Sequence, residues 1–204
     1  MATLLQQLSD QMASVVELAR RSLVRVNNSH NGVGAGIILH QDGLVLTNAH
    51  VIQQSSIEII LPDERKLSAR TLAFDPELDL AALSVDAECL PIIELGDSRS
   101  LKPGQLVLAV GHPWGIAGAV CAGSIIDVGL PLEIPRIRYE FIQAGLQLRP
   151  GHSGGPLVDV QGKLIGINTM ITGPKVGLAI PIHVVKNFLR NNLGSGTAKK
   201  EAYI

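Results

Sequence analysis

Two cysteines, Cys89 and Cys121, in 204 residues are too few for a disulfide framework, so the fold has to be held by packing. Charge of one sign is missing as well. The formal net charge is −1, which favours neither nucleic acid nor an anionic membrane by long-range attraction. The small basic clusters Arg20-Arg21 and Lys199-Lys200 read as solvated faces. No apolar run is long enough to cross a bilayer, so membrane insertion is not expected. No cationic segment followed by an apolar core opens the chain, which points to a cytoplasmic protein, or to a periplasmic or secreted one if the N-terminus has been processed. The six histidines are scattered without the short spacings of zinc sites, so neither a metal nor another cofactor is expected. No repeat of 20–50 residues is visible.

What is present is a glycine-flanked serine, Gly151-His152-Ser153-Gly154-Gly155-Pro156-Leu157. Glycines allow a tight turn that exposes Ser153 Oγ and aims the Gly151 and Ser153 amides at one point, as an oxyanion hole requires. Alone, the motif serves equally as a glycine-rich hairpin turn with an incidental serine. The choice depends on a base and an acid elsewhere. His50 stands in Leu46-Thr47-Asn48-Ala49-His50-Val51-Ile52, and Asp79 heads the apolar run Leu80-Ala81-Ala82-Leu83. A serine hydroxyl needs a neutral imidazole to take its proton, and that imidazole needs an acceptor on its other nitrogen. The order His50, Asp79, Ser153 is the chymotrypsin order, different from those of subtilisin and the α/β-hydrolases.

With these residues in place, the sequence resembles the HtrA/Deg-type branch of the trypsin-like serine proteases over residues 23–189. Further matching blocks are Gly32-Val33-Gly34-Ala35-Gly36, Phe141-Ile142-Gln143 and Val176-Gly177-Leu178-Ala179-Ile180-Pro181. The resemblance implies an all-β fold of two six-stranded antiparallel barrels with an N-terminal and a C-terminal helix. It implies catalysis by His50, Asp79 and Ser153, with an oxyanion hole at Gly151, His152 and Ser153. Substrate would lie along Val176, Gly177, Leu178 and Ala179, with Gln147 and Leu148 at the pocket floor. Trypsins select Lys or Arg with an aspartate where Gln147 stands, so small or medium aliphatic residues are expected before the cut. Gln147 either shortens that pocket or points away.

Along the chain, Leu4, Leu5, Leu8, Met12, Val15, Val16 and Ala19 recur at helical spacing over residues 1–21. This helix either packs on its own barrel or, as the resemblance suggests, supports a homotrimer. The domain proper is expected over 22–193. Strands at 23–26, 33–40, 44–47, 57–61, 67–74 and 80–85 would form a first barrel over 22–97. Strands at 106–111, 119–130, 137–143, 157–158, 164–172 and 176–180 would form a second over 104–181. Pro181 opens a helix at 182–193, and a polar tail follows at 194–204.

The sequence departs from the resembled pattern near the serine. His152 replaces an asparagine, Gly145 an aspartate and Arg149 an asparagine, all on the loop that shapes the oxyanion hole. His152 and His112 read as packing and turn residues. With no acid before the serine, activation by zymogen cleavage is not expected. No PDZ domain follows within these residues, so a sensor on the same chain is not expected either. The reading is an endopeptidase acting on unfolded or flexible polypeptides through an acyl-enzyme, a chemistry that suits protein quality control. The alternatives are a protease-like chaperone or binding module and, less well supported, another acyl hydrolase.

Overall fold

The computed structural model describes residues 3–28, 33–52, 56–130 and 139–194. Helix α1 (Leu4–Arg21) is capped by Thr3, whose hydroxyl accepts the Gln6 N–H at 3.2 Å. Six strands follow: β1 (Leu23–Asn28), β2 (Val33–His40), β3 (Leu44–Thr47), β4 (Ile57–Ile60), β5 (Lys66–Asp75) and β6 (Leu80–Val85). They close into an antiparallel barrel in the order β1-β2-β3-β6-β5-β4. The second set is β7 (Leu106–Gly111), β8 (Ala119–Gly129), β9 (Phe141–Ala144), β10 (Pro156–Val158), β11 (Leu164–Gly173) and β12 (Val176–Pro181). It closes as β10-β11-β12-β9-β8-β7, and α2 (Ile182–Leu193) ends the described chain. The sequence expectation of two six-stranded barrels with a helix at each end is met. The expected strand at 137–143 lies partly outside the described residues and is seen as β9, while the tail after Gly194 is wholly outside them.

Burial explains why several strands lack the polar alternation of a one-sided sheet. In β3 every residue, and in β6 every residue except half-buried Ser84, is buried because both faces are covered. Val45, Ala81 and Leu83 fill the interior of barrel one, while Leu44, Leu46, Leu80 and Ala82 face a layer between the barrels and under the helices. Barrel two repeats the arrangement, with Val107 and Ala109 inside and Leu108 and Val110 in the shared layer. That layer also takes Val15, Val16 and Ala19 from α1 and Val185, Phe188 and Leu189 from α2. An apolar interface of this kind fixes one barrel against the other and so fixes the groups at their junction. Helix α2 begins on Pro181 without a side-chain cap of its own, and Ser98 Oγ from the inter-barrel connection accepts the His183 N–H at 3.1 Å.

Only the C-terminal half of α1 is buried. Leu4 and Leu5 are 80% and 77% exposed and Leu8 is 41% exposed, so the first turns of the apolar stripe are left uncovered by the described residues.

Candidate active site

His50 stands on a single 3-10 turn, Ala49–Ile52, just past the end of β3. Asp79 closes the turn from β5 into β6 at φ 55°, a conformation that an Asp tolerates better than most residues. Asp75 Oδ1 braces that turn by accepting the N–H groups of Glu77 and Leu78 at 3.0 and 2.9 Å. Buried Asn48 adds a strut, its Nδ2 donating to the Asp79 carbonyl at 2.9 Å. The Asp79 carboxylate then receives the His50 N–H at 3.0 Å, His50 Nδ1 at 2.8 Å and the Thr169 hydroxyl at 2.5 Å. A carboxylate can only accept, so Nδ1 carries the proton and Nε2 keeps its lone pair for the cleft.

Ser153 comes from the other barrel, on the loop leading into β10. Its carbonyl accepts the Ala35 N–H of β2 at 2.8 Å, which ties the loop to barrel one. The two glycines after it have a steric reason. A Cβ on Gly154, which sits at φ +83°, would overlap Ala35 O and Thr47 Oγ1, and one on Gly155 would overlap Val110 O. Ser153 Oγ donates to the Thr169 carbonyl at 2.9 Å, and no hydrogen bond joins it to His50 among the described residues.

The turn before the serine is closed by the His152 N–H to the Arg149 carbonyl at 2.9 Å, with Pro150 next and Gly151 at φ +102°. Pro followed by a positive-φ glycine is a type II turn. The Gly151 and Ser153 N–H groups have no acceptor among the described residues, as donors reserved for an oxyanion would. His152 faces the loop itself. It is 3% exposed, with Nδ1 at 3.1 Å from the Arg149 N–H, and burial lowers its pKa below the usual imidazole value. His112 backs the same loop from the end of β7, its N–H donating to the Gly151 carbonyl at 2.8 Å. Burial is the main reason its pKa falls to about 4.

A cleft of about 310 Å³ collects His50, Leu148, His152, Ser153, Thr169 and Met170, with Arg149, Pro150 and Ile171 completing its wall. The structure thus brings together His50, Asp79, Ser153, His152 and Leu148 around one site. It relocates the rest of the expected substrate groove. Val176, Gly177, Leu178 and Ala179 belong to β12, and Gly177–Ala179 pair with β11 on one side and β9 on the other, so neither edge there is open to a peptide. Leu178 and Ala179 are core residues, and Gly177 lies against the Leu148 side chain. Gln147 is exposed and does not line the cleft. The free edge beside Ser153 is Thr169–Ile171 of β11, beyond the point where short β10 stops pairing. Sequence reasoning missed these three residues. The usable signal was Thr169 at the polar end of the buried run Leu164–Asn168, on the strand returning from the nucleophile hairpin.

Among the described residues no cluster of His, Cys, Asp and Glu has the makings of a metal site, and no helix is long and apolar enough to cross a membrane.

A family profile described as trypsin-like peptidase domain matches residues 34–167. The putative serine protease HhoB of Synechocystis sp. is 39% identical over 171 residues, covering 81% of this chain and 41% of its own length. A probable periplasmic serine endoprotease, DegP-like, of Marinomonas sp. is 44% identical over 143 residues, covering 69% of this chain and 30% of its own. The chain therefore spans less than half the length of these curated relatives. Among solved structures, the HtrA-type protease AlgW with a tripeptide superimposes at a TM-score of 0.83 with 33% identity, covering 88% of this chain and 62% of that one. The same protease with a decapeptide gives 0.82 with 30% identity over 90% of this chain and 68% of that one. The profile match takes in His50, Asp79 and Ser153, the structural match takes in both barrels, and the chain belongs to the trypsin-like peptidase family in its HtrA/Deg-type branch.

Proposed function

We propose that this chain is a serine endopeptidase that cuts unfolded or flexible polypeptides through an acyl-enzyme. The observation that carries the reading is Asp79 holding His50 Nδ1 at 2.8 Å beside a cleft that holds Ser153, whose N–H, like that of Gly151, has no acceptor among the described residues. Ser153 Oγ attacks the scissile carbonyl, His50 Nε2 takes the proton and passes it to the leaving amine, and Asp79 orients the imidazole. The Gly151 and Ser153 amides bind the tetrahedral oxygen. Substrate adds along Thr169–Ile171, and Leu148 and Met170 offer an aliphatic pocket with no fixed negative charge, which favours aliphatic residues before the cut. The AlgW structures hold peptides, which agrees with a polypeptide substrate. Labelling of Ser153 by a fluorophosphonate, together with cleavage sites mapped by mass spectrometry on a denatured protein, tests this. Failure to label, or cuts mainly after Lys or Arg, would count against it.

A second reading, a protease-like chaperone with conditional activity, is favoured by one observation: the Ser153 hydroxyl is engaged by Thr169 O and not by His50. Labelling that stays absent while unfolded protein is still bound would select it. We also propose an extracytoplasmic, quality-control role, since several relatives are named periplasmic DegP-like proteases. A homotrimer built on the exposed Leu4, Leu5 and Leu8 completes the proposal. Sedimentation of the Leu5→Ser, Leu8→Ser double variant beside the parent chain tests that part, and identical monomers would retire it.

A further inference from the structure

A second cavity, of about 320 Å³, lies between the end of α1, the β4–β5 turn and the segment after β7, and it shares no lining residue with the catalytic cleft. Its inner wall is cationic. Arg20 is already engaged, with Nε on the Gly118 carbonyl at 2.8 Å and Nη1 on Glu17 at 2.7 Å. Arg25 is not. Its Nε is buried and has no hydrogen-bond partner among the described residues. A buried charged donor without an acceptor is costly and rare, and marks a place where a partner belongs. The charge is felt next door, where Arg25 adds to the burial that holds His112 neutral.

The rest of the lining narrows the chemistry. Leu23, Ile60, Leu61 and Pro62 give an apolar side, and Arg21, Glu17 and Glu64 also line the cavity. Two carboxylates there oppose a multiply charged anion, whereas one planar carboxylate matches a guanidinium fork at modest total charge. The volume sits at the lower end of small-molecule sites. We propose that this cavity binds a small carboxylate-bearing ligand, its anionic group on Arg25 and its apolar body against Leu61 and Pro62.

The site does not depend on peptidase activity, so it is tested by binding on the Ser153→Ala chain. The probe is N-acetyl-L-leucine, with N-acetyl-L-leucinamide as the uncharged control and inorganic phosphate as charge without an apolar body. Amide NMR signals of His112 and Gly118 should shift saturably with the acid, more weakly with phosphate, and not with the amide. Arg25→Met should weaken the acid by about tenfold or more, the worth of a charged hydrogen bond. Ala117→Trp fills the cavity from an exposed position and should block binding with Arg25 intact, which decides the matter if Arg25→Met does not fold. No saturable shift with the acid, equal binding of the amide, phosphate binding as tight as the acid, or parent-like affinity in Ala117→Trp would each overturn the proposal.

Discussion

Barrel one delivers its half of the site finished, and barrel two delivers its half poised. On the first, His50 and Asp79 are locked by hydrogen bonds from His50 N–H, His50 Nδ1 and Thr169 Oγ1 to one carboxylate, with Asn48 bracing the Asp79 backbone. On the second, the Ser153 hydroxyl is parked on Thr169 O, and the Gly151 and Ser153 amides have no acceptor among the described residues. The difference follows from what each half must do. An acid–base pair keeps one arrangement throughout, so it can be built into strand ends. A nucleophile and an oxyanion hole act on a group that arrives with the substrate, so their donors must stay available. Thr169 joins the two, with its hydroxyl serving Asp79 and its carbonyl holding Ser153.

Breaking either half at its centre gives the largest effect. Ser153→Ala or His50→Ala should each lower peptidase turnover by about 10⁴-fold or more, because the groups act as a unit. Asp79→Asn should lose about 10⁴-fold through the wrong tautomer, with the melting temperature little changed. Casein cleavage by Ser153→Ala at the parent rate would refute the assignment.

Breaking the joint is the next test. Thr169→Val keeps the shape and the backbone carbonyl but removes the donor to Asp79. A hydrogen bond to a charged group is worth roughly 1.5–3 kcal/mol, so kcat should fall by about ten- to a hundredfold while Ser153 remains open to the phosphonate. A kcat equal to that of the parent would mean that Thr169 is only a packing residue of β11.

The two halves were also unequally legible in the sequence. His50, Asp79 and Ser153 stand out because the chemistry demands their types in one order, and the barrels stand out because turn residues such as Gly43 and the Asp159–Lys163 hairpin punctuate apolar runs. Thr169 stayed hidden, since a threonine on a strand carries no signature until the fold brings it within 2.5 Å of a carboxylate 90 residues away. The groove proposed here lies one strand earlier than the sequence suggested, for a similar reason. Val176–Ala179 and Thr169–Ile171 are both uncharged strand segments, and only the pairing of β12 on both edges tells them apart. For α1, periodicity gave one continuous stripe, yet burial splits it after Leu8, because the barrel is long enough to cover only the helix's C-terminal turns.

The smallest expected effect at neutral pH, and the one that most sharpens the contrast, concerns His152. His152 and His112 both have pKa values lowered by burial, His112 to about 4 with Arg25 and His152 adding to the shift, while the Arg149 backbone hydrogen bond partly offsets the lowering at His152. For each, the unfolded imidazole, near 6.5, binds a proton more readily than the folded one. Stability is therefore full above about pH 6.5 and falls as pH drops, with the His112 share lost progressively down to about pH 4 and amounting to about 3 kcal/mol. Both penalties fall on the oxyanion loop, since His152 lies in it and His112 holds Gly151 O. The poised half should therefore be the acid-sensitive one. His152→Asn keeps a small polar group that can bond the Arg149 backbone and removes one of the two titrations. At pH 7.5 its kcat/KM should stay within about threefold of the parent, as for a substitution that moves no catalytic group. Between pH 6.5 and 4.5 the Ser153→Ala, His152→Asn double variant should lose less melting temperature than Ser153→Ala alone. Superimposable acid profiles would remove His152 from the loop's pH response, and a kcat at pH 7.5 reduced as far as that of His50→Ala would make it a participant in the chemistry.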